Sequence, residues 1–226
     1  MEKMAIVTSS SSGLGFEITQ SLLDQGFTVF GGSRSGTSIE HDNFYDVELD
    51  ITSEESVIEF YETIREFTED IHLFVNNAGM CQMSSVIDMS TSMFEDHLAT
   101  NTVGPFMMFK YLAPFIIPQE THIISILSAA SHYGYPNVSG YNASKFGQRG
   151  LIESLKKEWK SYQIRFTNLC PGAIDTPLWD KMGMTFSREK MLSIDEFMSV
   201  FNFVLNAPSR IQFPEITFLN KEGFLE

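Results

Sequence analysis

The segment Met4-Ala5-Ile6-Val7-Thr8-Ser9-Ser10-Ser11-Ser12-Gly13-Leu14-Gly15-Phe16-Glu17-Ile18 decides the fold. It joins an apolar run suited to a buried strand, a turn of small residues and the apolar spacing of a helix. A strand, a small-residue turn and a helix N-terminus set end to end make an anion site, because free backbone N–H groups and the helix dipole converge there. Gly13 and Gly15 let a bound group approach the backbone closely. The same pattern also serves as a plain tight connection between strand and helix. It is not a P-loop, since no Gly-Lys-Ser/Thr follows.

Outward from this unit the pattern repeats. Strand-like runs fall at 4–8, 28–32, 43–49, 71–76, 122–127, 165–169 and 215–219, several too continuously apolar to leave one face wet. Amphipathic helices are predicted at 14–25, 53–67, 92–115, 141–162 and 193–205, with capping boxes expected at Thr52/Glu55, Ser92/Glu95 and Ser193/Glu196. The alternation predicts an α/β fold: a doubly wound, Rossmann-like parallel sheet of about seven strands with helices on both faces, in one domain over residues 1–226. Ligands are expected beyond the carboxyl ends of the strands.

The 226 residues suffice for one sizeable core, and 43% hydrophobic against 19% charged argues against disorder. Fifteen Lys plus Arg against 29 Asp plus Glu leave a net charge of −14, a field that repels phosphate backbones and anionic lipid. No nucleic acid partner is expected. The longest apolar region, 103–118, is broken by Lys110 and three prolines, so no membrane span is expected. Cys81 and Cys170 form no disulfide framework and no metal-ligand spacing, which suits a cytoplasmic protein without a metal.

After the second strand comes Gly31-Gly32-Ser33-Arg34-Ser35, with no acid and one arginine. An acid there would suit the ribose of NAD, whereas a basic group accommodates the 2′-phosphate of NADP. Arg34 thus points to NADP, with NAD less favoured, or is simply an exposed arginine. Farther on, Tyr141 and Lys145 are four apart and share a helix face. An ammonium beside a phenol would lower the tyrosine pKa towards neutrality, as an acid/base group requires. Ser128, at the end of a buried strand, could hydrogen-bond the same substrate oxygen. Taken alone, Tyr-x-x-x-Lys is an ordinary surface pair.

Together these motifs, in order, resemble the short-chain dehydrogenase/reductase family over nearly the whole chain. Its Thr-Gly-x-x-x-Gly-x-Gly turn aligns with Thr8 to Gly15, and Asn-Asn-Ala-Gly stands at Asn76-Asn77-Ala78-Gly79. Ser128 lies thirteen before the tyrosine of Tyr141-x-x-x-Lys145, and Pro171-Gly172 is followed by Thr176. The resemblance implies Tyr141 as acid/base, Lys145 as its tuner and ribose holder, and Ser128 as carbonyl polariser. Asn101 would anchor a relay water, which suits the carbonyl that Pro105 cannot bond. The implied cofactor residues are Thr8, Ser10, Ser12, Gly13, Leu14, Gly15, Arg34, Asp50, Ile51, Asn77, Ala78, Gly79, Tyr141, Lys145, Pro171, Gly172, Ile174 and Thr176.

Ser9 departs from the family pattern, putting a side chain where a glycine usually stands. Residues 175–192 would form a substrate lid, with Trp179, Met182, Met184, Phe186 and Met191 as its apolar wall or as its own core. Phe106, Met107, Phe109 and Leu112 suit the core or a homo-oligomer interface, a dimer or less readily a tetramer. His97, His122 and His132 read as ordinary polar residues, as do both cysteines. The expected activity is hydride transfer between a nicotinamide and a small carbonyl or secondary alcohol. The alternative is a non-enzymatic dinucleotide-binding or regulatory protein on the same fold.

Overall fold

The computed structural model describes residues 3–118, 120–181 and 187–221. Its sheet runs β3-β2-β1-β4-β5-β6-β7, with every pairing parallel. The strands are β1 (Lys3–Thr8), β2 (Phe27–Ser33), β3 (Phe44–Glu48), β4 (Leu73–Asn76), β5 (His122–Ile126), β6 (Arg165–Pro171) and β7 (Glu215–Phe218). Strand order reverses between β1 and β4, the point at which a doubly wound sheet leaves a crevice for a ligand beyond its carboxyl ends.

Period-two alternation divides each strand between two cores. Ile6, Phe30, Phe74, Ile123 and Phe166 face one side, in the cluster with helices α2 (Glu54–Phe67), α4 (Gly104–Ile116) and α5 (Ser139–Glu158). Ala5, Val7, Val29, Val75, Ile124 and Leu169 face the other, in the cluster with α1 (Gly13–Asp24) and α6 (Ile194–Leu205). The continuously apolar runs are therefore those covered on both faces. Met107, Phe109 and Leu112 belong to the core, whereas Phe106 is 50% exposed.

Two predicted caps fall elsewhere. Ser53 caps α2 by accepting from Ser56 N, while Thr52 donates to Asp50. Ser90, not Ser92, caps α3 (Thr91–Leu98) by accepting from Met93 N. In both cases the capping serine lies a residue or two away from the one chosen by spacing, since helix boundaries are set by packing as well as by pattern. The Ser193/Glu196 box forms as expected. The predicted helix 92–115 is two helices joined by a π-helical turn at Ala99–Val103, where Gly104 N donates to Ala99 O. Helix α5 starts two residues before the prediction and ends at Glu158.

His122, 5% exposed at the foot of β5, is more than an ordinary polar residue. Its Nδ1 lies 2.8 Å from Arg165 Nη2 and its Nε2 3.0 Å from Thr167 Oγ1. A guanidinium only donates, so Nδ1 is the bare nitrogen and Nε2–H donates to Thr167. Burial, with Arg165 beside it, pulls the imidazole down to about 3. The folded state resists protonation, so this contribution to stability is complete above the unfolded value near 6.5 and is lost as pH falls towards 3. Between pH 7.5 and pH 5 the protein should lose about 2 kcal/mol through this group. Thermal unfolding of the wild type and His122→Gln at both pH values checks this, since the variant should show the shallower pH dependence.

Candidate active site

The turn after β1 is folded as an anion cradle. Ser9 has φ 60°, and its N–H donates to Gly32 O at 2.6 Å. This conformation lays the Ser9 carbonyl on Gly15, where a Cβ would come within 2.0 Å of it. Gly13 has φ +56°, and a Cβ built there would touch Thr176 and Pro177, so the residues after β6 lie over the turn. Ser12 precedes α1 without a side-chain cap bond, and no acid occupies the first turn. Ser10 Oγ is buried without a hydrogen-bond partner. Free N–H groups, an orphaned hydroxyl and a backbone shaped by glycines fit a bound phosphate group.

Several predicted cofactor residues are used on one another. Thr8 Oγ1 accepts from Asn77 N (3.0 Å) and Ala78 N (2.9 Å), and Asn77 Nδ2 donates back to Thr8 O (2.9 Å). The Asn-Asn-Ala-Gly segment is thereby fixed to β1 across the crevice. Asp50 Oδ1 accepts from Thr52 Oγ1 (2.7 Å) and N (2.9 Å). The Thr52 hydroxyl, with a smaller pull from Arg34, holds this carboxyl below the usual range. Ile51 is buried, and its carbonyl abuts Gly104 at the start of α4. Pro171 ends β6, Gly172 N donates to Phe218 O, and Ile174 pairs with Leu192. Leu14 packs against the α1–α6 core.

Arg34 lies just beyond β2, in a cleft of about 400 Å³ shared with Ser33, Ser35, Gly36, Asp46 and Glu48. Ser33 Oγ is buried and unpartnered. The sequence pointed to the arginine but not to the two acids, which β3 brings in by pairing Gly31 with Asp46 and Ser33 with Glu48.

Tyr141, Lys145 and Ser128 converge at the carboxyl end of β5. Ser128 accepts from Ala130 N (3.1 Å) and lies near enough to the Tyr141 phenol to favour its ionised form. Lys145 is 3% exposed and its Nζ lies 5.8 Å from the centre of the Tyr141 ring. The ammonium is not on the phenol oxygen. It donates to Ile126 O (3.2 Å) and Gln148 Oε1 (3.0 Å). This corrects the expected tuning: burial, then Cys81, push the phenol above its ordinary value, and Ser128 opposes them. Burial also draws Lys145 down to about 8.

Asn101, in the π-helical turn, accepts from Met80 N (2.8 Å) and donates to Met80 O (2.9 Å) and Ser144 Oγ (2.8 Å). Its side chain fastens the loop after β4 to α5. His97, read from the sequence as an ordinary polar residue, and Gln148, which that reading passed over, both pack against the Tyr141–Lys145 pair. Buried His97 accepts from Gln82 N, contacts Met93 O and packs edge-on to the Tyr141 ring at 6.5 Å. Gln148 holds Lys145, and its place three residues beyond the lysine was the available signal. In the predicted lid, Trp179 Nε1 donates to Ile174 O and Met191 is buried, whereas Met182, Met184 and Phe186 lie outside the described residues.

A short chain dehydrogenase family model matches residues 3–185. The chain belongs to that family. A 3-amino-tetrahydro-pyrrolizinone reductase of Xenorhabdus hominickii is 30% identical over 203 residues, covering 88% of this chain and 71% of the relative. Human dehydrogenase/reductase SDR family member 11 is 25% identical, covering 95% of this chain and 93% of that one. An alcohol dehydrogenase of Thermococcus sibiricus, solved with 5-hydroxy-NADP, superposes over 100% of both chains with TM-score 0.88 at 23% identity. A 3-ketoacyl-(acyl-carrier-protein) reductase of Brucella melitensis, solved with NADH, has TM-score 0.86 at 24% identity and covers 97% of each chain. The protein is thus an oxidoreductase of the short-chain dehydrogenase/reductase type.

Ser9 offers a direct test of the turn. A left-handed conformation costs an L-residue roughly 1–2 kcal/mol, which glycine avoids but partly returns as chain entropy. Ser9→Gly should therefore raise the melting temperature by about 2–4 °C at most and should not lower it. A clear drop in a thermal melt would show that the serine side chain itself holds the turn.

Proposed function

We propose that this oxidoreductase binds NADP in preference to NAD and reduces a carbonyl to a secondary alcohol, with Tyr141 as the proton donor. The observation that carries this reading is the meeting of Ser128, Tyr141 and Lys145 beside the anion cradle. When bound, the nicotinamide supplies the hydride. Ser128 and Tyr141 present hydroxyls to the substrate oxygen, stabilising the charge that develops there. The Tyr141 phenol is the proton source for that oxygen as hydride arrives, and it takes the proton back when an alcohol is oxidised. Lys145 keeps one N–H donor for a ribose, since two are already used. The Asn101 carbonyl, for which Pro105 has no N–H, is assigned the relay water through which Tyr141 regains a proton.

The cradle of Ser10, Ser12, Gly13, Leu14 and Gly15 is assigned the pyrophosphate, and Arg34 with Ser33 the 2′-phosphate. Asp50 and Ile51 are assigned the adenine, Asn77, Ala78 and Gly79 the neighbouring ribose path, and Pro171, Gly172, Ile174 and Thr176 the nicotinamide side. The reading takes residues 1–226 as one domain, with 175–192 as the lid over a small-molecule substrate. Exposed Val103, Phe106 and Phe146 on the π-helical turn, α4 and α5 support a homodimer through those elements. Two free buried thiols suit a cytoplasmic setting.

NADPH oxidation against a panel of carbonyl compounds tests the activity. Tyr141→Phe should lower kcat by about 10²-fold or more, and full activity in that variant would remove the assigned role. Arg34→Ala should weaken NADPH binding by roughly tenfold or more, as expected for losing a charge-assisted contact, with little effect on NADH in a fluorescence titration. Equal losses would refute the assignment of Arg34 to the 2′-phosphate.

A further inference from the structure

Gln148 lies three residues beyond Lys145 and seven beyond Tyr141 on α5, so the three share a helix face. It is fully buried. Lys145, also buried, makes no ion pair among the described residues; its ammonium donates to Ile126 O and, at 3.0 Å, to Gln148 Oε1. A buried ammonium needs acceptors in place of its water shell. The Gln148 amide must face Lys145 through its oxygen, because the amide nitrogen cannot accept. That leaves Nε2 buried without a hydrogen-bond partner. An apolar side chain of similar volume would avoid this orphaned group, so the amide is destabilising on its own account and the contact with Lys145 is what offsets it.

We infer that Gln148 is a positioning residue: its amide oxygen sets the place and the charge of the Lys145 ammonium, and through it the pH range in which Lys145 and Tyr141 work together. This rests on the roles proposed above for those two residues. Burial leaves Lys145 near 8, so its charge within the working range depends on few contacts. The titratable groups facing it are Tyr141 on its own helix, Cys81 on the loop after β4 and Cys170 on β6. Both thiols are pushed up to about 12 and the phenol is raised, so all three are neutral near pH 7. The Arg149–Glu215 pair lies beyond Cys170. Among the described residues no facing anion duplicates the contribution of Gln148.

The experiment compares wild type, Gln148→Leu and Gln148→Glu by two readouts. One is the 13Cε shift of Lys145 in lysine-labelled protein, assigned with Lys145→Met and titrated with pH. The other is the pH profile of NADPH-dependent turnover, with thermal melts to establish that each variant is folded. Gln148→Leu should lower the Lys145 titration by about one unit and carry the alkaline limb of turnover down with it. Gln148→Glu, which keeps an acceptor and adds charge, should raise both. An unmoved Lys145 titration in folded Gln148→Leu overturns the inference, as does a moved titration that leaves the turnover profile in place. A wild type inactive on every carbonyl would sink the proposed function, while the resonance titration would still decide whether Gln148 governs Lys145.

Discussion

The pair of hydrogen bonds that the Thr8 hydroxyl accepts from the N–H groups of Asn77 and Ala78 is the joint on which the site depends. It ties the end of β1 to the segment after β4 at the point where strand order reverses and the two chains would otherwise diverge. One oxygen thereby fixes both walls of the crevice: the Ser9–Gly15 turn on one side and the loop to Met80 on the other. Asn101 takes hold of that loop at Met80 and of α5 at Ser144, so the helix carrying Tyr141 and Lys145 is referenced to the same joint. The cradle and the Tyr141–Lys145 pair are thus aligned by the side chains of Thr8, Asn101 and Ser144 rather than by the sheet alone.

All seven strands were legible in the sequence because each holds apolar residues in a short run bounded by turn residues. The motif spacings placed Ser128, Tyr141 and Lys145 together for the same reason: strand end and helix start are local features. Other features depended on partners distant in sequence. Asp46 and Glu48 reach the Arg34 cleft only through the register of β3 on β2. His122 is special only because β6 sets Arg165 beside it. The direction of the Tyr141 shift follows from how deeply the phenol is buried and from which acceptors the ammonium finds, and neither is written in a four-residue spacing. The caps at Ser53 and Ser90 show the same limit at short range, where several serines competed and packing chose.

The site is electrically quiet within an acidic molecule. Burial raises the phenol and both thiols, which are neutral near pH 7, and draws Lys145 down to about 8, leaving the lysine as the charged member of the four. A protein of net charge −14 repels an anionic ligand at long range. Under the proposed function, attraction comes at short range from backbone N–H groups, the α1 dipole, the Arg34 guanidinium and the hydroxyls of Ser10 and Ser33.

The π-helical turn at Ala99–Val103 also determines how the polypeptide tolerates change in length. An extra residue in one turn rotates everything after it by about 100° relative to a regular helix, which lets Asn101 face the loop while Met108 and Leu112 face the sheet. Removing a single residue there would let α3 and α4 merge into one regular helix whose Met108–Leu112 stripe still faces the sheet, but would abolish the bulge that turns Asn101 to the loop. The extra residue therefore serves the placing of Asn101 rather than the packing of α4.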